Sequence, residues 1–445
     1  MRTFLLCIIA LTPTLGRAET LVFLGARLID GTGHAPFAGS ALVVEGDRIS
    51  AVGVAGVLKY PASARVIDVR GKTIVPGLIN AHGHVGLVAE GKNRADAYTR
   101  DNIRAQLLQY ERYGVTAICA LGLNRDLVYE IREEQRRGAF PGASLFTAGR
   151  GIGVPEAAPP VPVAPDQVYR PRTPEEAVAD VRETASHHPD MLKIWVDDVY
   201  GKFPKMKPEV YQAAIDEAHR LHIRVAAHVF YLADAKALAA LGVDAFAHSI
   251  RDQPVDSELI ETMKTRGINY VPTLTVDESA FVFAEDPVLL QDGFLQGAVG
   301  PELIKQLGGA EYQQKVANDP NTPKIKAAFT TAMHNLKALH DAGVRIAFGT
   351  DSGAQPVRIP GWAEHRELSL MVRAGLKPME AIVASTHGSA AMLGLADRGT
   401  LEAGKRADFL ILAGDPLEDI RNTRQIVSVW HGGREFNPAG SQSTK

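Results

Sequence analysis

The sequence predicts an α/β fold: a (β/α)8 TIM barrel with a composite β-sandwich domain formed by both chain ends. In residues 74–398, eight apolar, strand-like segments alternate with segments of helical periodicity, an order typical of a parallel barrel. In residues 19–73 and 399–445, short apolar alternations are separated by glycine and aspartate turn signals, which favours antiparallel strands. Neither end is large enough for a stable sheet domain alone, so we predict that the two combine.

The first eighteen residues predict a signal peptide. Arg2 gives a positive start, the apolar run Phe4–Leu15 follows, and Gly16 and Ala18 are the small residues that a signal peptidase reads. A buried first strand is the other interpretation. We expect a periplasmic or secreted protein without a membrane anchor, because no other apolar run is long enough to span a bilayer.

Composition and charge exclude several classes of partner. The 445 residues carry a formal charge of −3, without a basic stripe that would indicate nucleic acid and without an acidic tail. Removal of residues 1–18 would also remove Cys7 and leave Cys119 alone, so no internal disulfide could form. We expect a small-molecule substrate, no nucleic-acid partner and a homo-oligomer.

The barrel prediction depends on eight segments that are apolar almost throughout, as buried parallel strands are. They lie at residues 74–86, 115–122, 143–149, 191–198, 223–230, 244–250, 268–275 and 345–353. Helical patterns lie between and after them, near residues 95–113, up to 137, and at 174–187, 208–221, 233–241, 257–266, 325–342, 364–374 and 378–393. Active sites of such barrels lie at the carboxyl ends of the strands, so polar residues there are the candidates for function.

Two long connections leave the same end of the predicted barrel. Residues 152–172 are rich in proline and suit neither helix nor sheet. Residues 277–320 follow the seventh strand and include Phe281, Phe283 and Phe294. Each connection is either a lid, where aromatic side chains would bind an apolar part of the substrate, or a surface insertion or oligomer contact.

The first candidate site lies in the stretch IVPGLINAHGHVG, residues 74–86. Side chains two residues apart on a strand point the same way. His82 and His84 can therefore reach one point in space, as a metal site requires. Taken alone, the pair could equally be two polar residues at the end of a strand.

Later strands end in residues that could join these histidines. They are Lys193 in the fourth strand, His228 in the fifth, His248 in the sixth and Asp351 in the eighth. Each has an ordinary structural interpretation on its own, such as a satisfied histidine or a turn cap. Their shared position at one end of one barrel favours a metal centre, because imidazole and carboxylate ligands suit Zn²⁺.

Three further residues are candidates for substrate binding. Tyr231 directly follows the fifth strand and could hold a substrate oxygen. Arg251, just after the sixth strand, could hold a carboxylate, or it could instead pair with Asp252 or Asp256. His365 follows the eighth strand and could face the pocket.

At these motifs the sequence resembles the amidohydrolase superfamily, in particular its imidazolonepropionase-like and Xaa-Pro or Xaa-Arg dipeptidase-like branch. The resemblance covers essentially the whole chain after residue 18. It rests on PGLINAHGH, LKIW, AAHVF, AFAHS and FGTDSG at the strand ends and on GTLEAGKRADFLIL near the C-terminus. One departure is Val196-Asp197-Asp198, where dipeptidase-like relatives often carry small residues and glycine, and it leaves the substrate class open.

The resemblance implies a centre of two divalent metal ions, most simply Zn²⁺. One ion would be bound by His82, His84 and Asp351, the other by His228 and His248, and Lys193, carbamylated by carbon dioxide, would bridge them. A carbamate is an anionic bridge with two oxygens, whereas a neutral lysine is a poor ligand for such ions.

The implied activity is hydrolysis of an amide bond of the dipeptide or N-acyl amino acid type. Hydroxide formed on the metals would attack the carbonyl, and Asp351 would take the proton and return it to the leaving nitrogen. The alternative within catalysis is hydrolysis of a lactone, a carbamate or an organophosphate ester. The alternative of another class is a metal-free scaffold or binding relative, which would have lost ligands, and none is lost here.

Overall fold

Eight short parallel strands form a barrel in the computed structural model, which describes residues 19–436. The predicted signal peptide, residues 1–18, and residues 437–445 lie outside the described range. The barrel strands are Leu78–Gly83, Val115–Ala120, Ser144–Thr147, Leu192–Trp195, Val225–His228, Ala245–Phe246, Asn269–Tyr270 and Arg345–Ile346. Each lies inside a segment predicted from the sequence, and the predicted fold class is confirmed.

Backbone hydrogen bonds outside the regular strands close the barrel. Between the third and fourth strands, the Ile152 N–H donates to the Lys193 carbonyl (2.8 Å) and the Trp195 N–H donates to the Ile152 carbonyl (2.9 Å). Between the eighth and first strands, the Ala81 N–H donates to the Phe348 carbonyl (2.9 Å). The ring therefore brings the carboxyl ends of the first, fourth and eighth strands to one rim.

Helices surround the barrel in the order that the sequence predicts. They are Arg100–Arg112, Leu127–Arg136, Pro174–Ser186, Pro208–Arg220, Leu232–Ala240, Ser257–Arg266, Thr322–Asp341, Trp362–Arg373, Pro378–Val383 and Ser389–Leu393. Local signals explain their ends: the Asp256 carboxylate accepts from the Leu259 N–H at 3.0 Å, and Gly267 ends the same helix with a φ of +68°. A π-helical turn, Ala384–Gly388, divides the last predicted helix. Among the described residues, no helix has the length and apolarity that a membrane span needs.

The long connection after the seventh strand folds into short helices rather than a loop. They are Thr275–Glu278, Val282–Glu285, Gly293–Gln296, Pro301–Gly308 and Ala310–Asn318. Phe283 is fully buried against Trp362, with ring centroids 5.4 Å apart, and Phe281 packs against Phe329 at 5.9 Å. These contacts favour the packing role of Phe281 and Phe283 over a place in the cavity wall, and the role of the connection as a lid stays a prediction.

Both chain ends contribute to a β-sandwich. One sheet contains Arg48–Val54, Ser40–Glu45, Thr20–Leu24 and Arg65–Asp68, and the other contains Arg434–Phe436, Ile426–His431, Phe409–Leu412, Thr73–Pro76 and Arg27–Leu28. The strand Phe409–Leu412 runs antiparallel to Thr73–Pro76, which joins the two ends in one sheet. Between the sheets, Phe23 packs edge-on against Phe409 (5.0 Å) and Trp430 (4.7 Å).

The chain passes from the sandwich to the barrel at Gly77. A side chain there would place its Cβ 2.3 Å from Thr116 Oγ1, so the close approach to the second barrel strand requires glycine. The predicted limit between residues 73 and 74 falls inside the strand Thr73–Pro76, which belongs to the sandwich sheet. The other domain limits stay a prediction.

Candidate metal centre

The side chains predicted as metal ligands meet at the carboxyl ends of the barrel strands. A cavity of about 310 Å³ opens there, and His82, His84, His228, His248 and Asp351 line it. The fourth-strand lysine lies beside them, fully buried. Strand alternation directs both histidines of the first strand to this rim, as the sequence analysis expected.

Three of these residues form a tight group of donor atoms. Asp351 Oδ1 lies 2.8 Å from His84 Nε2 and 3.3 Å from His82 Nε2, and ligand atoms of the three residues lie within 4.8 Å of one another. Burial alone would raise the pKa of Asp351, but the neighbouring Arg358 and the histidines hold it well below its usual range. Burial, and then the charge of Lys193, lowers the pKa of His82 to about 3. An anionic carboxylate and neutral imidazole are the protonation states that bind a metal ion.

His228 and His248 form a second pair beside the first. Their ring centroids lie 4.3 Å apart, and that of His248 lies 4.6 Å from the ring of His82. His248 Nδ1 contacts Thr273 Oγ1 at 2.8 Å, and His228 Nε2 contacts Asp197 Oδ2 at 3.1 Å. These contacts leave His248 Nε2 and His228 Nδ1 free, and burial lowers the pKa of both residues and favours the neutral form.

Lys193 is buried at the rim beside the histidines. Its side chain is fully buried, and its Nζ has no hydrogen-bond partner among residues 19–436. Burial lowers its pKa to about 7, which favours the uncharged amine relative to an exposed lysine. Such depressed values mark functional lysines.

Unpartnered buried atoms show that this donor set fits a metal centre. In the described part of the chain, His82 Nδ1, Lys193 Nζ and His228 Nδ1 are buried and lack a hydrogen-bond partner. The Nε atoms of the cavity-lining Arg251 and Arg358 are also unpartnered among the described residues. Buried polar atoms are almost always paired, and these exceptions within one cluster point to a group that completes them. Imidazole and carboxylate ligands together suit a divalent ion such as Zn²⁺.

The structure places Tyr231 outside the cavity. Its hydroxyl donates to Asp198 Oδ1 at 2.8 Å, and Lys205 Nζ lies 3.9 Å from the centre of its ring. The residue before it, Phe230, lines the cavity instead. The residues that line the cavity do not include Tyr231, and its role in substrate binding stays a prediction.

His365 is also a structural residue. It is buried, its Nε2 contacts the Tyr113 carbonyl at 2.8 Å, and its Nδ1 contacts Thr423 Oγ1 at 2.9 Å. Both ring nitrogens are therefore satisfied away from the cavity. Burial lowers the pKa of His365 to about 4. The prediction that it faces the pocket is wrong, because the helix Trp362–Arg373 turns this side chain towards Tyr113, at the end of the first barrel helix.

Arg251 lines the cavity, as predicted, but with a partner that the sequence analysis did not name. Its Nε lies 3.2 Å from Asp277 Oδ2, and its Nη1 donates to the Ser249 carbonyl at 2.8 Å. Asp252 accepts from a backbone N–H, and Asp256 caps a helix. Neither of the two proposed local partners therefore pairs with Arg251.

Sequence reasoning missed the residues that orient the ligands. Asp197 and Thr273 fix the histidines of the second pair, and Arg358 contacts Asp351. The unusual Asp197 was visible in the sequence as a departure from relatives, whereas nothing marked Thr273 or Arg358. Asp351 and Thr273 also have positive φ angles, of 56° and 44°, and such strain in residues with side chains concentrates at functional sites.

A network of hydrogen bonds around Glu364 lies next to the candidate metal centre. Glu364 is completely buried and accepts hydrogen bonds from Asn80 Nδ2 (2.6 Å), Thr350 Oγ1 (2.8 Å), Ser352 Oγ (2.6 Å) and the Gly361 N–H (2.6 Å). These donors lie on the first strand, in the segment that follows the eighth strand and at the start of the next helix. The network therefore fixes the relative positions of the strand ends that carry the first group of ligands.

Comparison with known proteins agrees with this geometry. Ochratoxinase of Aspergillus niger is 29% identical over 244 residues, 54% of this chain and 43% of the relative, so the match spans less than half of that protein. Imidazolonepropionase of Deinococcus deserti is 41% identical over 144 residues, 31% of this chain and 36% of the relative. A crystal structure of a Xaa-Pro dipeptidase with methionine bound in the active site superposes with a TM-score of 0.75 at 24% identity, covering 94% of this chain and all of that one.

The family pattern matches most of the chain. The amidohydrolase family description fits residues 73–435, a range that includes the whole barrel and the C-terminal strands of the sandwich. The relatives are those that the sequence motifs predicted. The chain belongs to the amidohydrolase family.

Proposed function

We propose that this protein is an exported, binuclear metal-dependent hydrolase that cleaves an amide bond of a dipeptide or an N-acyl amino acid. One observation carries the proposal: four imidazoles, a carboxylate and an unpaired lysine converge at one rim, with three buried nitrogens that lack partners among the described residues. Structural histidines are normally satisfied by the protein, as His365 is here.

Each residue has a chemical task in the proposed reaction. His82, His84 and Asp351 would hold one ion, and the second histidine pair the other, with the Lys193 carbamate supplying an oxygen to each. The bound ions would polarise the substrate carbonyl and lower the pKa of water. Asp351, anionic and at the rim, would accept the proton and then return it to the leaving nitrogen.

The cavity wall favours a substrate with an apolar part. Trp195, Tyr200, Phe230, Val276 and Ile325 contribute to its lining. Burying an apolar substrate group against them supplies binding energy away from the reacting carbonyl. The proline-rich connection also reaches the cavity, through residues 159–161, which supports a covering role for it.

Metal analysis combined with substrate screening tests the proposal. Protein expressed with Zn²⁺ should contain close to two ions per chain and should hydrolyse members of a panel of dipeptides and N-acyl amino acids. Lactones in the same panel test the ester alternative. His228→Asn should lose metal and activity, whereas His340→Asn, on the outer helix Thr322–Asp341, should keep both. A protein that takes up no metal under these conditions would contradict the proposal.

Export and assembly are separate parts of the proposal. Mass measurement of the full chain expressed in a bacterium should give a mature N-terminus near Glu19, and retention of residues 1–18 would argue against export. Light scattering should show a homo-oligomer, and a monomer at every concentration would contradict that part alone.

A further inference from the structure

Two arginines line the cavity, and they differ in the residues with which they pair. Arg251 forms an ion pair with Asp277 and donates to the Ser249 carbonyl, so it is committed to the barrel. Arg358 contacts the Asp351 carboxylate. The Arg358 Nε is buried and has no hydrogen-bond partner in the range 19–436. The Arg251 Nε is likewise buried without a hydrogen-bond partner in the described part of the chain. The two side chains therefore differ in their acidic partner: Arg251 has Asp277, whereas Arg358 has Asp351, a candidate metal ligand.

The two oxygens of Asp351 face different partners. Oδ1 lies 2.8 Å from His84 Nε2 and 3.3 Å from His82 Nε2, on the side of the candidate metal centre. Oδ2 faces the guanidinium of Arg358. A guanidinium N–H occupies an acceptor position of Oδ2, so withdrawal of Arg358 would leave that oxygen freer to exchange a proton with a substrate.

Hydrogen bonds fix the backbone around Arg358. The guanidinium can therefore leave Asp351 only through a rotation of the side chain. The Gly353 N–H donates to the Arg358 carbonyl (2.8 Å), and the Arg358 N–H donates to the Gln355 carbonyl (3.0 Å), which closes a compact turn. A Cβ on Gly353 would lie 2.3 Å from the His84 carbonyl oxygen. The turn is therefore pressed against the strand that carries the ligands.

We propose that Arg358 binds a carboxylate of the substrate and that this contact draws its guanidinium away from Asp351. The inference rests on the proposed function. The other acids that line the cavity have partners, Asp197 with His228 and Asp277 with Arg251. Once Asp351 serves metal ions, Arg358 is the cation among the cavity-lining residues that lacks an acidic partner, and its planar fork matches a carboxylate. A substrate with a carboxylate would thus free Oδ2 of Asp351, the proposed base, whereas an uncharged substrate would leave Arg358 in contact with that oxygen.

Binding of two matched ligands tests the carboxylate contact without any turnover. N-hydroxysuccinamic acid and N-hydroxybutanamide share a hydroxamate that occupies the metals, and they differ in a distal carboxylate or methyl group. Calorimetry on zinc-loaded protein should show the acid binding about 10- to 100-fold more tightly. The Arg358→Met variant should lose this preference, and Arg421→Met, at an exposed position, should keep it. Equal affinities in the wild type would overturn the inference.

Kinetics separates a substrate contact from a structural role. For an N-acyl amino acid, Arg358→Met should lower kcat/KM by about 10- to 100-fold. For the matching amide, whose carboxylate is capped, the fall should be much smaller, because that substrate makes no carboxylate contact to lose. An equal fall for both substrates would overturn the inference while leaving the metal-dependent hydrolysis intact. A protein that takes up no metal would overturn both the inference and the proposed function.

Discussion

Two buried polar clusters lie near the ends of the first and eighth barrel strands, and they differ in how completely their hydrogen bonds are satisfied. Around Glu364, four donors converge on one carboxylate. In the candidate metal centre, Lys193 Nζ, His82 Nδ1 and His228 Nδ1 are equally buried but have no partner among the described residues. Both clusters come from similar strand ends, so burial and polarity alone do not separate them.

The difference indicates that the Glu364 cluster stabilises the fold, whereas the candidate metal centre needs a bound group to satisfy its buried atoms. A buried polar atom without a partner costs about 1–3 kcal/mol, and a fold retains several in one place only when a bound group compensates for them. The Glu364 cluster needs no such group. It fixes Asn80 and Ser352, which lie two residues from His82 and one from Asp351.

Removal of Lys193 should have the largest effect on this comparison. In Lys193→Ala the bridge between the ions is missing, so the variant should lose one or both metals and more than about 100-fold in kcat/KM, beyond the loss typical of residues that only orient ligands. Short carboxylic acids should restore part of the activity by replacing the carbamate. Metal analysis and kinetics measure both effects, with Lys236→Ala, at a surface ion pair, as control. Full activity in the variant would refute the carbamate.

Exchanging aromatic residues should separate packing from substrate contact. Phe283→Ala removes a fully buried ring and should lower the free energy of unfolding by about 3–5 kcal/mol, with the same relative change in kcat/KM for small and bulky substrates. Tyr200→Ala alters the cavity wall at a half-exposed position. It should change selectivity for bulky substrates and leave stability nearly unchanged. A change of selectivity in Phe283→Ala would restore the lid interpretation.

A substitution in the Glu364 cluster should lower the stability of the fold more than it lowers the metal content. In Glu364→Gln an amide NH₂ replaces an oxygen and faces either the Gly361 N–H or the hydroxyls of Thr350 and Ser352. The unpaired donors should cost about 2–3 kcal/mol of unfolding free energy, measured by denaturant titration. Metal analysis should still find both ions. Loss of metal without loss of stability would show that Glu364 belongs to the centre itself.

The features that could be predicted from the sequence are those that depend on hydrophobic periodicity. The eight barrel strands and the ligands at their ends follow from apolar runs that finish in a polar residue, because parallel strands bring those ends to one rim. The sandwich follows from the alternating segments at both chain ends. His82, Lys193 and Asp351 could therefore be placed near one another without coordinates.

What could not be predicted depends on side-chain direction in irregular segments. Tyr231 lies one residue after Phe230, and the turn after the strand decides which of them reaches the cavity. The connection 277–320 forms helices through contacts made at long range, such as that of Phe283 with Trp362. The positive φ of Thr273 likewise has no local sequence signal, because threonine rarely adopts that conformation.

The smallest effect concerns His365, a satisfied histidine that serves as the counterpart to the metal ligands. Burial lowers its pKa from 6.5 to about 4, so the folded protein keeps the ring neutral where the unfolded chain binds a proton. The folded state therefore loses stability as the pH falls from 6.5 to 4, by about 3 kcal/mol at the lower end. Above pH 6.5 the contribution is constant, because the ring is neutral in both states.

His365→Gln isolates this contribution. The amide can donate to the Tyr113 carbonyl and accept from the Thr423 hydroxyl, as the neutral imidazole does, but it cannot take up a proton. The difference in unfolding free energy between wild type and variant, from denaturant titrations at several pH values, removes the titrations that both proteins share. This difference should shift in favour of the variant by about 3 kcal/mol between pH 6.5 and 4. A difference independent of pH would mean that the histidine takes up a proton inside the fold, and His365 would then no longer serve as a neutral, satisfied counterpart to the ligands.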